Sequence, residues 1–172
     1  MRVSVTTRLP CSLARAWIEV QRPVVLQDVA RPLARIEPVD APQFPDVWES
    51  GQTYRCRSYL FGVLPVGTRR IVIERIDPLT HTIQSRESDA LVKTWDHRLA
   101  LTIGARGETT YQDVIEIDAG LLTPLVWGWA QWFYRHRQGR WRRLAALWAA
   151  AERDQAPREE TLWRLGAAPD AP

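Results

Sequence analysis

Two alternating segments joined by a short glycine-flanked connection constrain this chain most. Residues 92–103 place Trp95, His97, Leu99, Leu101 and Ile103 on one parity, and residues 108–118 do the same with Tyr111, Asp113, Ile115 and Ile117. Successive side chains of a strand point to opposite faces, so this period of two marks strands with one buried face. The connection at 104–107, Gly-Ala-Arg-Gly, carries glycine at both ends and suits a hairpin. Parallel strands would need a helical crossover between each pair, and no such rhythm is present. An antiparallel meander follows.

The same alternation recurs upstream. Residues 2–9 read as the first strand, ended by Pro10. Ser12 caps a short helix to Val20, and Pro23 opens a second over 24–30. After a proline-rich stretch with a short strand at 33–37, strands are expected at 54–60, 68–76 and 81–87. Residues 61–67, with Gly62, Pro65 and Gly67, read as a turn or irregular connection. Thr123-Pro124 then reads as N-cap and first turn of a long helix to about residue 153. Its apolar stripe is placed at Leu122, Leu125, Val126, Trp129, Phe133, Leu144, Leu147 and Ala151. The expected organisation is one α+β domain over residues 1–153 and a disordered tail over 154–172.

Charge and motifs narrow the function classes. Net charge is +3, an excess carried by arginine with Lys93 as the one lysine, too small to argue for nucleic acid. Cys11 and Cys56 fit neither a disulfide framework nor a zinc spacing, and three dispersed histidines give no metal cluster. No P-loop, GxGxxG, GxSxG or HExxH is present, so no cofactor is expected. The N-terminal segment lacks the apolar run of a signal peptide, and no stretch approaches a membrane span. The expected location is the cytoplasm.

Four strings carry a family resemblance: LPCSLARAWIEV at 9–20, GQTYRCRSYLFGVLPVG at 51–67, KTWDHRLAL at 93–101 and TTYQDVIEIDAGLLTPLVW at 109–127. With the element order, they make the chain resemble the helix-grip fold of the START and Bet v 1-like superfamily, SRPBCC, over roughly residues 1–153. The resemblance implies a curved antiparallel sheet wrapped around the long C-terminal helix, with two short helices after the first strand. It also implies a cavity for a small hydrophobic ligand: a lipid, polyketide or aromatic compound. No catalytic motif is shared across that superfamily, so no catalytic residue is carried over, and binding is favoured over catalysis.

Parity and the helical stripe nominate Tyr54, Leu60, Trp95, His97, Leu99, Tyr111, Asp113, Trp129 and Phe133 as cavity lining. His97 and Asp113 should lie nearly opposite each other on the concave face. A carboxylate can fix the tautomer of an imidazole, so the pair could orient a ligand or act as general base and orienter in a cyclase or dehydratase. The plainer reading, favoured on the sequence alone, is two inward polar groups neutralising one another. His136 and Arg140 could close the far end of the cavity, or bond strand acids such as Glu87 or Glu116. The basic run 135–143 reads as a solvated helix face. Trp127, Tyr134 and Trp141 read as outward, a patch that would suit a partner or a homodimer if exposed together, unless the early strand and short helices cover them. Cys56 reads as buried.

Overall fold

A computed structural model describes residues 1–155. The element order is β1 (Arg2–Leu9), α1 (Leu13–Val20), α2 (Pro23–Ala30), β2 (Ala34–Pro38), β3 (Thr53–Leu60), β4 (Leu64–Asp77), β5 (Thr82–Ser88), β6 (Thr94–Ile103), β7 (Thr109–Asp118), a 3-10 turn (Gly120–Leu122) and α3 (Thr123–Gln155). The expected disordered tail lies outside the described residues from residue 156 on; at residues 154–155 the chain is still helical.

All seven strands form one curved antiparallel sheet in the order β1-β7-β6-β5-β4-β3-β2. Consecutive strands from β2 to β7 are neighbours, as short turns demand, and β1 closes the far edge on β7. Two bulges help the sheet curl, at Ser58/Tyr59 between β3 and β4 and at Ile73/Arg75 between β4 and β5. The first corrects the reading of 61–67 as irregular. Phe61 and Gly62 take left-handed φ of 51° and 75° and turn the chain tightly, so β4 starts at Leu64. The bulge beside Gly67 absorbs the residues that sequence signals mark as breakers.

The helices start where local chemistry requires. The Ser12 hydroxyl accepts from the Arg15 amide at 3.2 Å, satisfying a free N–H of the first turn of α1. Pro23 sits in the first turn of α2, where its missing N–H costs nothing. Thr123 acts differently from the expected cap: its Oγ1 accepts from the Ala119 amide at 2.9 Å and donates to the Gly120 carbonyl at 2.7 Å. It therefore pins the 3-10 turn rather than capping α3 forward.

The buried face of α3 differs in phase from the expected stripe. Ala130, Phe133, Tyr134, Arg137, Gln138, Trp141 and Ala145 are buried, whereas Leu122, Leu125 and Leu147 are exposed. The helix seats closely on β1, β7 and α2. Small residues Ala130 and Ala145 permit that approach, and Tyr134 and Trp141 fill the space beside them. The outward aromatic patch is thereby overturned: Tyr134 and Trp141 are each 1% exposed. Trp127 is half-buried, with its indole N–H donating to the Arg2 carbonyl at 2.8 Å. Among the described residues, no helix is long and apolar enough to cross a membrane.

Candidate functional site

The sheet curls away from α3 on one side and leaves a cavity of about 420 Å³. Its floor comes from Ile71 and Ile73 of β4, Ile83 and Ser85 of β5, and Trp95, His97 and Leu99 of β6. Its roof is a ladder on α3 at four-residue spacing, Leu125, Trp129, Phe133, Arg137 and Trp141, which a helix sets on one face. Leu60 and Val66 of the β3–β4 hairpin and Leu91 of the β5–β6 loop also contribute. Val66, Leu91 and Leu125 are open to solvent as well, so they mark the mouth. Trp141, 1% exposed, lies at the closed end.

Of the nominated lining residues, the cavity brings together Leu60, Trp95, His97, Leu99, Trp129 and Phe133. Four others lie elsewhere. Tyr54 packs in a side cluster against Trp48, ring centroids 4.8 Å apart, because the loop after β2 folds over that end of β3. Tyr111 is fully buried and packs on Trp141, ring centroids 5.6 Å apart, where β7 is closely covered by α3. Asp113 is fully buried behind the cavity wall. His136 faces α2 instead, with Nε2 2.8 Å from the Arg31 carbonyl oxygen. Arg140 likewise bonds Asp28 at 3.1 Å. Neither reaches a cavity end or a strand acid, since α2 lies alongside this part of α3.

The His97–Asp113 pair forms, but not across one rung. His97 pairs with Ile115 in register and Leu99 with Asp113. The β6–β7 connection takes in Glu108, whose carbonyl accepts from the Gly104 amide, and this moves the register relative to the expected one. Both side chains remain on the concave face, and the diagonal is within reach of an imidazole. Nε2 of His97 lies 2.6 Å from Oδ1 of Asp113. Tyr111 donates to the same oxygen at 3.0 Å, and Gln138 donates to Oδ2 at 3.2 Å. Burial alone would raise the Asp113 pKa. The His97 hydrogen bond, the nearby Arg137 charge and the Gln138 amide outweigh it, holding the carboxyl below its ordinary value. With Asp113 ionised, His97 Nε2–H is the donor.

Sequence reasoning missed a second polar group on the wall. Arg69 of β4 bonds Asp89 at 2.9 Å and Glu87 at 3.3 Å. The Ser85 hydroxyl donates to the other Glu87 oxygen at 3.2 Å. Arg69 shares parity with the inward Ile71 and Ile73, a signal that was legible. Arg137 was also missed, read within a solvated basic run, yet it is 4% exposed and lines the cavity. Cys56 is buried as expected, and burial above all pushes its thiol up to about 11, which leaves it unreactive.

These features define a helix-grip α+β fold of the Bet v 1-like kind. Among solved structures, TTHA0849 from Thermus thermophilus is similar with a TM-score of 0.64 at 11% identity, over 86% of this chain and 98% of that one. Ara h 8.0201 gives 0.54 at 14% identity, over 82% and 97%. DynU16, from the dynemicin biosynthetic locus, gives 0.53 at 19% identity, over 83% of this chain but 46% of the other. At these identities the likeness is one of fold. Residues 7–147 match the family described as domain of unknown function DUF8410, and the chain belongs to that family. Among curated proteins, none matches the chain in sequence.

Proposed function

We propose that this chain is a START/Bet v 1-like, SRPBCC-type binding protein for a small apolar ligand held between sheet and α3. The observation that carries the reading is the 420 Å³ hollow with walls mostly of aliphatic and aromatic side chains. Its size falls within the range of small-molecule sites, and a few polar groups on an apolar wall is their usual make-up. Each ~100 Å² of apolar ligand surface withdrawn from water contributes roughly 2.5 kcal/mol before ordering costs. Leu60, Trp95, His97, Leu99, Trp129 and Phe133 would form the contact surface. Native mass spectrometry of the purified protein, followed by solvent extraction, tests this. A co-purified lipid or aromatic compound at one per chain is expected. A protein that carries no guest and takes up none from a panel of fatty alcohols and aromatic hydrocarbons would contradict it.

One observation favours a second reading, a metal-free cyclase or dehydratase acting on a polyketide-like guest. His97 lies on the cavity wall with Asp113 behind it, the order required of a base and its orienter. On that reading His97→Gln stops conversion of a supplied polyketide while its binding is retained. Unchanged conversion ends the catalytic reading and leaves the binding one intact.

A further inference from the structure

The ladder of α3 that roofs the cavity contains a cation that makes no salt bridge or hydrogen bond among the described residues, although the Asp113 charge lies nearby. Arg137 is 4% exposed. Among the described residues, no carboxylate oxygen lies within 4 Å of it and no hydrogen bond engages its guanidinium. Its Nε is fully buried and unsatisfied. The contacts it does make are with ring faces, 4.8 Å to Tyr134 and 5.7 Å to Phe133. A buried ion is normally paired, because withdrawing it from water is costly.

The acids in the neighbourhood are already engaged. Glu87 and Asp89 bond Arg69, and Asp89 also accepts the amides of Leu91 and Val92. Asp113 receives His97, Tyr111 and Gln138. The indole N–H groups of Trp129 and Trp141, on the same ladder, are likewise buried without an acceptor. Among the described residues, the unpaired groups on the ladder itself are therefore donors, while the unpaired acceptors of the helix, Oε1 of Gln131 and of Gln138, lie outside the cavity lining. Leu125 at the mouth and Arg137 are twelve residues apart on one helix, about 18 Å along its axis.

We propose, on the strength of the cavity reading above, that the guest is an amphiphilic carboxylate. Its carboxylate meets the guanidinium of Arg137 near the closed end, and its apolar body runs along Phe133 and Trp129 toward Leu125. A guanidinium presents two parallel N–H donors that match a carboxylate, and the charge-assisted bonds are strong where water is excluded.

Calorimetry with two probes of equal chain length, decanoate and decan-1-ol, at pH 8 tests this on the whole protein. Wild type should bind decanoate about tenfold or more tightly than decan-1-ol. Arg137→Met should abolish that preference while decan-1-ol binding persists. Arg140→Met, whose side chain bonds Asp28 of α2, should keep it. Equal wild-type affinity for the two probes, or a preference that survives Arg137→Met, overturns the carboxylate assignment and leaves the cavity reading standing. Failure of wild type to bind either probe overturns both. The wild-type ratio decides the matter even if the Met variant does not fold.

Discussion

The two halves of the sheet meet α3 in different ways. Under β1 and β7 the helix lies close, and Val3, Ile115, Ala130, Phe133 and Tyr134 form a continuous packed core. A second cluster, with Leu9, Leu101, Tyr111, Trp141 and Ala145, closes one end. Over β4 and β5, among the described residues, α3 does not pack closely on the strands. Ile71, Ile73, Ile83 and Ser85 face the hollow, while Ile71 and Ile73 also pack on Phe44 and Trp48 at one side and Ile83 joins the second cluster. Both halves show apolar inward faces in sequence. The difference is made by what stands opposite: alanines flanked by large aromatics on one side, bulged and curling strands on the other. An apolar face therefore specifies burial, but the shape of the sheet decides whether the partner is protein or guest.

Perturbing the packed half should cost most. Trp141→Ala removes a fully buried indole and is expected to destabilise by about 3–5 kcal/mol in urea unfolding. Asp113→Ala strands the donors of His97, Tyr111 and Gln138 and should cost about 2–3 kcal/mol. The folded pKa of Asp113 is depressed, so its ionisation contributes stability that is complete above the ordinary value of about 4. That contribution is lost as pH falls through the lower folded value. Asp113→Asn should therefore flatten the acid limb of the stability–pH curve, measured by unfolding at a series of pH values.

Enlargement separates the halves directly. Ile115→Trp, set in the packed half, should cost at least about 1–3 kcal/mol, whereas Ile73→Trp, facing the hollow, should cost under about 1 kcal/mol. Equal penalties would erase the distinction. The smallest effect is expected at the mouth. Leu125→Ser should change stability by no more than about 0.5 kcal/mol, since this leucine is 73% exposed.

That last residue shows where the sequence misleads. Leu122, Leu125 and Leu147 are apolar and helically spaced, yet they lie outside. Arg137 and Gln138, polar and within a basic run, lie inside. A hydropathy stripe assigns charge to water and so shifts the buried face of α3 in phase. The signal that could have corrected it is the 129, 133, 137, 141 spacing, which threads an arginine through three aromatics. In the strands the pattern is less ambiguous, because a period of two allows only two faces. Trp95, His97, Leu99 and Asp113 were placed on the correct face, and the His97–Asp113 contact survived a shift in register. Tyr54 also has the right parity, but the loop just before β3 that covers it with Phe44 and Trp48 carries no periodic signal.

The central claim is that the hollow over β4 and β5 takes an apolar guest. Calorimetric titration of wild type and Ile73→Trp with decan-1-ol at several temperatures tests it most directly. The account predicts one site per chain with a negative heat-capacity change on binding, and clearly weaker binding by the filled variant. No binding by wild type, or equal binding by both proteins, would contradict it.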